Sequence, residues 1–358
     1  LTIESANLAD LSPLTGLGAL TVLRLQSDNL SDLTPLATLA GLTELALIGN
    51  NLSNLAPLAA LVGLQRLVII GHGVADLAPL AALVALADLD LRSNRLANLA
   101  PLAGLPALAA LRVEGQLLSN VAPLAALTTL TRLALVGDGI ADIAPLAALT
   151  ALTEFQVHSQ VLSDIGAVSA MLGLLSLDIK SPRLTAILPI GVLPGLQELR
   201  LESDVLIDLL PIALLGSLRS LRVYSDAVTT LAPLAALVNL RTVELSGVRI
   251  RDLGPLGGLA ALRGIRLGRT SASSLAPLAG LAALEDLDLG EARFNRLSPL
   301  AGLANLRQVR LGDNAIQDIA PLAGLPNLIY LDLGTNAVQK TDSEEHTSEL
   351  QSRQVISY

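Results

Sequence analysis

The 358-residue sequence contains no cysteine and no tryptophan, and only two phenylalanines and three tyrosines. Without cysteine there is no disulfide framework, no thiolate-ligated zinc and no thiol catalysis, while the compartment stays open. The shortage of aromatics, 1% of a chain that is 52% hydrophobic, is equally informative. A globular core of this size draws on aromatic rings to fill irregular gaps. A core of Leu, Ala, Ile and Val instead implies one small packing problem solved many times. Basic residues are also short, 23 against 32 acidic for a net charge of −9. That balance lacks the local Lys and Arg surplus a phosphate-binding surface needs, so no nucleic-acid partner is expected. Long apolar runs are missing despite a mean hydropathy of +0.60. Stretches such as Leu99 to Leu111 contain proline and stop short of the roughly 18 residues a spanning helix requires. No membrane insertion is expected. Phosphate-binding glycine loops, H-E-x-x-H and G-x-S-x-G are absent too, so neither catalysis nor a cofactor or metal is expected.

What is present is a period. Prolines fall at Pro13, Pro35, Pro57, Pro79, Pro101, Pro123 and Pro145, then at Pro189, Pro211, Pro233, Pro255, Pro277, Pro299 and Pro321, always 22 residues apart, with Ala167 in the one vacant place. Leu-x-Leu pairs keep the same register, from Leu1/Ile3 through Leu23/Leu25 and Leu45/Leu47 to Leu331/Leu333, giving sixteen strand signals. In the unit beginning at Leu42, Leu45 and Leu47 are two apart and point to one side of a short strand, with Glu44 and Ala46 on the other. Leu55, Leu58, Leu61 and Leu64 then follow at steps of three, the spacing of a tight 3₁₀ return segment. No single unit can bury its leucines, so neighbours stack with their strands in a parallel sheet.

Two polar columns accompany the leucines. Three residues before the proline stand Asp10, Asp32, Asn54, Asp76, Asn98, Asn120, Asp142, Asp164, Asp208, Asp252 and Asp318, with Thr230 and Ser274 as substitutes and Ala186 and Arg296 as exceptions. A side-chain oxygen there can cap the N–H groups that open the return segment, ahead of a proline that has no donor to waste. A calcium reading is disfavoured because the acids run in single file, without clustered oxygen ligands. The second column is read as the inward turn residue: Asn50, Asn94, Asn314 and Asn336, elsewhere Asp28, His72, Gln116, Asp138, Gln160, Asp204, Asp226 or Thr270. It is lost at Pro182, Val248 and Ala292, where looser turns are expected.

The unit Leu42 to Gly63, L-x-x-L-x-L-x-x-N-x-L-x-D-L-x-P-L-A-x-L-x-x with Asn54 at the Asp position, resembles the short 22-residue class of leucine-rich repeats. That class occurs in bacterial internalins and in a regulatory subunit of a eukaryotic protein phosphatase. The resemblance runs from residue 1 to about 340 and implies a right-handed solenoid: an α/β repeat with a concave parallel β-sheet of about sixteen short strands and 3₁₀ or irregular convex segments. It also implies protein binding. Leu1 opens within a strand signal, and Ser343 to Ser352 resembles a translated sequencing-library adapter. The expected organisation is therefore a solenoid over residues 1–340, truncated at both ends, followed by a non-native or disordered tail over 341–358.

On the outward face of the strands, one column reads Arg222, Glu244, Arg266, Asp288, Arg310, Asp332, alternating in sign. Asp90–Arg112 and Asp178–Arg200 repeat the arrangement. Cross-strand opposite charges support each other, so the carboxylate pairs Asp88/Asp90 and Asp286/Asp288 read as neutralised surface rather than a catalytic dyad. The candidate partner-binding strip is Gln156, His158, Asp178, Lys180, Arg200, Glu202, Arg222, Tyr224, Glu244 and Arg266, the stretch that combines Arg, His and an aromatic, types enriched at binding hot spots. Ala46, Ile48, Val68 and Ile70 form a second, apolar candidate. His72 reads as a structural turn residue. The expected function is a monomeric protein-interaction module of a bacterial surface or secreted protein. The alternatives are the targeting arm of an effector enzyme and a passive spacer.

Overall fold

The computed structural model describes residues 1–246, 249–336 and 356–357, and the chain forms two compact units, Leu1–Ser181 and Pro182–Tyr358. Within the first, strands β1 (Thr2–Glu4), β2 (Val22–Gln26), β3 (Glu44–Ile48), β4 (Arg66–Ile70), β5 (Asp88–Arg92), β6 (Ala110–Glu114), β7 (Arg132–Val136), β8 (Glu154–His158) and β9 (Ser176–Lys180) each pair in parallel with their sequence neighbours. The pairing offset is 22 residues, as in Leu45↔Leu67 and Leu89↔Leu111. The second unit repeats the pattern with β10 (Glu198–Glu202), β11 (Ser220–Tyr224), β12 (Thr242–Ser246), β13 (Gly264–Leu267), β14 (Asp286–Asp288), β15 (Gln308–Arg310) and β16 (Tyr330–Asp332). The short β17 (Ile356–Ser357) pairs with β16. The expected tail otherwise lies outside the described residues.

The leucine spacing accounts for the coil. Leu42, Leu45, Leu47, Leu52, Leu55, Leu58 and Leu61 are at most 2% exposed. Along the return segment the leucines also carry the backbone bonds: the Leu58 N–H donates to the Leu55 carbonyl at 2.9 Å, Leu61 to Leu58 at 2.9 Å and Leu64 to Leu61 at 3.0 Å. One step of three thus puts the side chain inward and satisfies the amide locally, the economy of a 3₁₀ turn. The return segments are 3₁₀ up to Ser298–Leu300, and a single α turn takes that place at Ala320–Ala323.

Thirteen of the fifteen capping positions act as expected. Asp142 Oδ1 accepts the Ala144 N–H at 2.7 Å, Asn98 Oδ1 that of Ala100 at 3.0 Å, and Thr230 Oγ1 that of Ala232 at 3.1 Å. The remaining ten are alike. The bond spans two residues and reaches the N–H that opens the segment, one residue upstream of a conventional N-cap.

The turn column needs correcting. In the first unit Asn50, His72, Asn94 and Gln116 are exposed, and the residue before each, Gly49, Gly71, Ser93 and Gly115, is buried. Ser93 Oγ donates to the Val74 carbonyl at 2.8 Å, Ser159 to Ile140 at 2.7 Å and Ser181 to Leu162 at 2.5 Å. Pro182 is therefore no gap in the first unit's ladder, because Ser181 already supplies the bond. His72 is a surface residue, not a structural substitute. Where glycine fills the column, space is the reason: a Cβ on Gly49 would lie 2.0 Å from the Ser27 carbonyl oxygen, and one on Gly71 2.6 Å from that of Gly49.

The second unit uses both arrangements. Ser203 and Ser225 are buried and donate to the Leu184 and Leu206 carbonyls, each at 2.8 Å. Further on the inward role moves one residue along. Arg269, Glu291 and Asp313 take left-handed φ values of 55°, 54° and 56°, and a single left-handed residue redirects the chain so that the next side chain turns in. Thr270 is then buried and donates to the Ile250 carbonyl at 2.8 Å. Asn314 Nδ2 donates to the carbonyls of Leu289 (2.9 Å) and Leu311 (3.0 Å), and its Oδ1 accepts the Phe294 N–H at 3.0 Å. Asn336 repeats this toward Leu311 and Ile316. The strands of these coils shorten from five residues to four and three. Ala292 itself offers no polar side chain, yet Asn314 of the following coil bonds the backbone on both sides of it. Val248 lies outside the described residues.

Candidate protein-binding face

In each unit the open face of the strands carries the side chains at the first, third and fifth strand positions, because the second and fourth point into the core. In the first unit the predicted residues Gln156, His158, Asp178 and Lys180 fall on β8 and β9. Gln156 Nε2 lies 3.0 Å from His158 Nε2 and donates to Asp178 Oδ2 at 3.2 Å, while His158 Nε2 lies 3.2 Å from Asp178 Oδ1. One ring nitrogen cannot both donate to the carboxylate and accept from the amide. The carboxylate oxygen at 3.2 Å calls for the N–H, leaving the Gln156 donor to Asp178.

The same unit holds a groove that the sequence reading passed over, about 620 Å³ in volume, running along the open face from β4 to β9. Its floor is low where Ala110 and Ala134 interrupt columns otherwise occupied by Arg66, Asp88, Arg132 and Glu154, or by Asp90, Arg112 and Gln156. Arg66 pairs with Asp88 at 3.7 Å, and Asp90 with Arg92 at 2.7 Å and Arg112 at 3.9 Å. The carboxylate pair at 88 and 90 is thus neutralised by arginines, as expected of surface. The signal for the groove was present: small residues standing alone in charged columns.

In the second unit the strip continues as Arg200 and Glu202 on β10, Arg222 and Tyr224 on β11, Glu244 on β12 and Arg266 on β13. Glu244 is the hub. It pairs with Arg222 at 3.5 Å and Arg266 at 3.3 Å, and accepts the Tyr224 hydroxyl at 2.8 Å. Arg266 reaches on to Asp288 at 3.4 Å. The like charges Arg200 and Arg222 sit side by side in register and take different partners. Arg222 turns to Glu244, while Arg200 turns to Glu202 at 3.6 Å and lies 5.1 Å over the Tyr224 ring. Burial first, then the bond to Glu244, raises the Tyr224 pKa, so the hydroxyl stays a neutral donor. The alternating ladder ends sooner than the sequence suggests: Arg310 stacks over Tyr330 at 4.8 Å and donates to Gln308 at 3.0 Å. A hollow of about 170 Å³ opens over Gly264 between Arg222, Glu244, Arg266 and Asp288. Each strip residue therefore sits on the open face of its own unit. Ala46, Ile48, Val68 and Ile70 also face outward on β3 and β4, partly covered.

Among the described residues no group of His, Asp and Glu is placed to hold a metal, and no helix is long and apolar enough to cross a membrane.

A leucine-rich-repeat family model matches residues 304–345. No curated protein matches the sequence. Among solved structures, an internalin (inlF) from Listeria monocytogenes is similar at 25% identity with a TM-score of 0.70, over 88% of this chain and 86% of that one. The leucine-rich-repeat protein LIC12759 of Leptospira interrogans shares the fold at 18% identity and TM-score 0.73, over 100% and 95%. The functional domain of InlJ from Listeria monocytogenes, which includes a cysteine ladder, does so at 19% and 0.70, over 94% and 72%. This chain has no cysteine, and its turns are laddered by serine and asparagine instead. With the 22-residue coil repeated strand by strand, the chain has a leucine-rich-repeat fold similar to that of the bacterial internalins.

Proposed function

We propose that the chain is a protein-binding module that engages its partner from the open sheet face, within a bacterial surface or secreted protein, and that it binds rather than catalyses. The observation that carries this reading is the second unit's cluster around Glu244. An aromatic ring, three arginines and a carboxylate are held in place by one another beside a hollow of about 170 Å³. Rigid aromatic and arginine anchors beside a receiving hollow are what protein interfaces concentrate their energy in, because little side-chain entropy is left to lose. The groove over Ala110 and Ala134 offers the first unit's own contact, wide enough for a partner side chain between ion-paired walls.

The test is capture from a mixture of extracellular proteins by the wild-type chain, by Tyr224→Ala and by Leu188→Ala, which lies on a 3₁₀ segment. A protein retained by wild type and Leu188→Ala but weakened at least tenfold by Tyr224→Ala supports the reading, since hot-spot truncations cost ~2 kcal/mol or more. A captured protein indifferent to Tyr224 would count against it.

A further inference from the structure

The repeat breaks its own rule on the face opposite the strands. At the opening position of the return segment the coils carry Ser12, Thr34, Ala56, Ala78, Ala100, Ala122, Ala144 and Gly166, then later Ala232, Gly254, Ala276, Ser298 and Ala320. Two adjacent coils of the second unit instead carry Leu188 and Leu210. Four residues on, where other coils have Gly, Ala or Thr, the same two carry Val192 and Leu214. Ile207 stands just before the second segment, where neighbouring coils have Thr185 and Thr229. None of these side chains is in the core. Their exposure runs from 54% for Val192 to 73% for Leu188. Equivalent residues of adjacent coils are close, and Leu214 lies against Gly191, its Cδ1 3.3 Å from where a glycine-to-alanine Cβ would stand. The segments 187–193 and 209–215 contain no charged residue.

Isolated exposed leucines need no explanation, but five together on one face do. We propose that this face is a self-association site, on which a second copy of the chain docks its own Leu188–Leu214 surface across a two-fold axis, in place of the monomer expected from sequence. Area supports that occupant. Full burial of such a side chain is worth 1.5–3 kcal/mol at ~25 cal/mol per Å², or on the order of 100 Å² each, so the five offer roughly 350 Å². A standard interface buries about 800 Å² per partner, a little over half of it apolar. The five side chains thus supply most of the apolar share of one half-interface. Charge is compatible with that occupant: the two segments carry none, and the exposed carboxylate beside Ile207, Asp208, already accepts the Leu210 N–H at 2.7 Å, so a partner face equally poor in charge suits them, since burying an unpaired ion is expensive. An isologous pairing brings such a face from each copy.

The experiment is sedimentation velocity on the full chain from micromolar to millimolar concentration, for wild type, Leu188→Ala/Leu214→Ala and Arg222→Ala. Alanine already occupies the equivalent positions of other coils, so the double variant is expected to fold, with the circular dichroism and Tm of wild type. The expected result is a concentration-dependent doubling of mass for wild type and Arg222→Ala, and a monomer throughout for the double variant. A wild-type chain that stays monomeric at millimolar concentration overturns the proposal, even if it binds lipid vesicles or another protein. So does a dimer that survives the double substitution.

Discussion

Asn98 and Asn120 each accept the N–H that opens the following return segment at 3.0 Å. Replacing either by alanine is expected to destabilise the chain by about 1 kcal/mol, read as a lower urea midpoint. The acidic members of the column add a pH dependence. Hydrogen bonds from Ser12 and Thr34 hold the carboxyls of Asp10 and Asp32 below the ordinary carboxylate range. A carboxyl with a depressed folded pKa stabilises fully above its unfolded value and loses that contribution as the pH falls through the folded one. The Tm of wild type is therefore expected to fall on acidification more steeply than that of Asp10→Asn/Asp32→Asn, and equal slopes would contradict the assignment. The capping role was legible in the sequence because spacing alone placed an oxygen acceptor before a proline. Which residue turns inward was not, although the column Ser27, Gly49, Gly71, Ser93, Gly115, Gly137, Ser159, Ser181, Ser203, Ser225 is small throughout. The more familiar asparagine one position later drew the reading away from it.

At the scale of the element, the same sequence column has two fates. Asn50 is exposed in a coil whose inward residue is Gly49, whereas Asn314 turns inward behind the left-handed Asp313. Asn50→Ala is expected to change stability by less than about 0.5 kcal/mol. Asn314→Ala, which strands the Phe294 N–H and the Leu289 carbonyl, is expected to cost about 2–3 kcal/mol. Thermal unfolding of the two variants checks this, and similar losses would show that the turn geometry is shared. Gly49→Ala belongs to the same comparison: its Cβ would meet the Ser27 carbonyl at 2.0 Å, so a loss of about 3 kcal/mol is expected. Strands and return segments themselves could be placed from leucine spacing to within a residue or two, since one inward stripe dictates both. The shortened strands from β13 on could not, because they follow from backbone handedness rather than from hydrophobic pattern.

At the scale of the molecule, each unit buries aliphatic side chains on one side of its strands and leaves the other side open. The binding candidates on that open face were only partly visible in the sequence. Alternating signs at Arg222, Glu244 and Arg266 foretold ion pairs, but not that Tyr224 closes on Glu244 or that Arg310 leaves the ladder for Tyr330. The groove over Ala110 and Ala134 was missed because it is made by what is small, and a search for chemistry looks for what is reactive. The measurement that tests the central claim most directly is site-specific photo-crosslinking to the captured partner, with benzoylphenylalanine placed at Arg222 on the sheet face or at Ala60 on a return segment. Crosslinking from position 222 and none from position 60 is the predicted result. Crosslinking from position 60 alone would move the binding face to the other side of the coil and contradict the account.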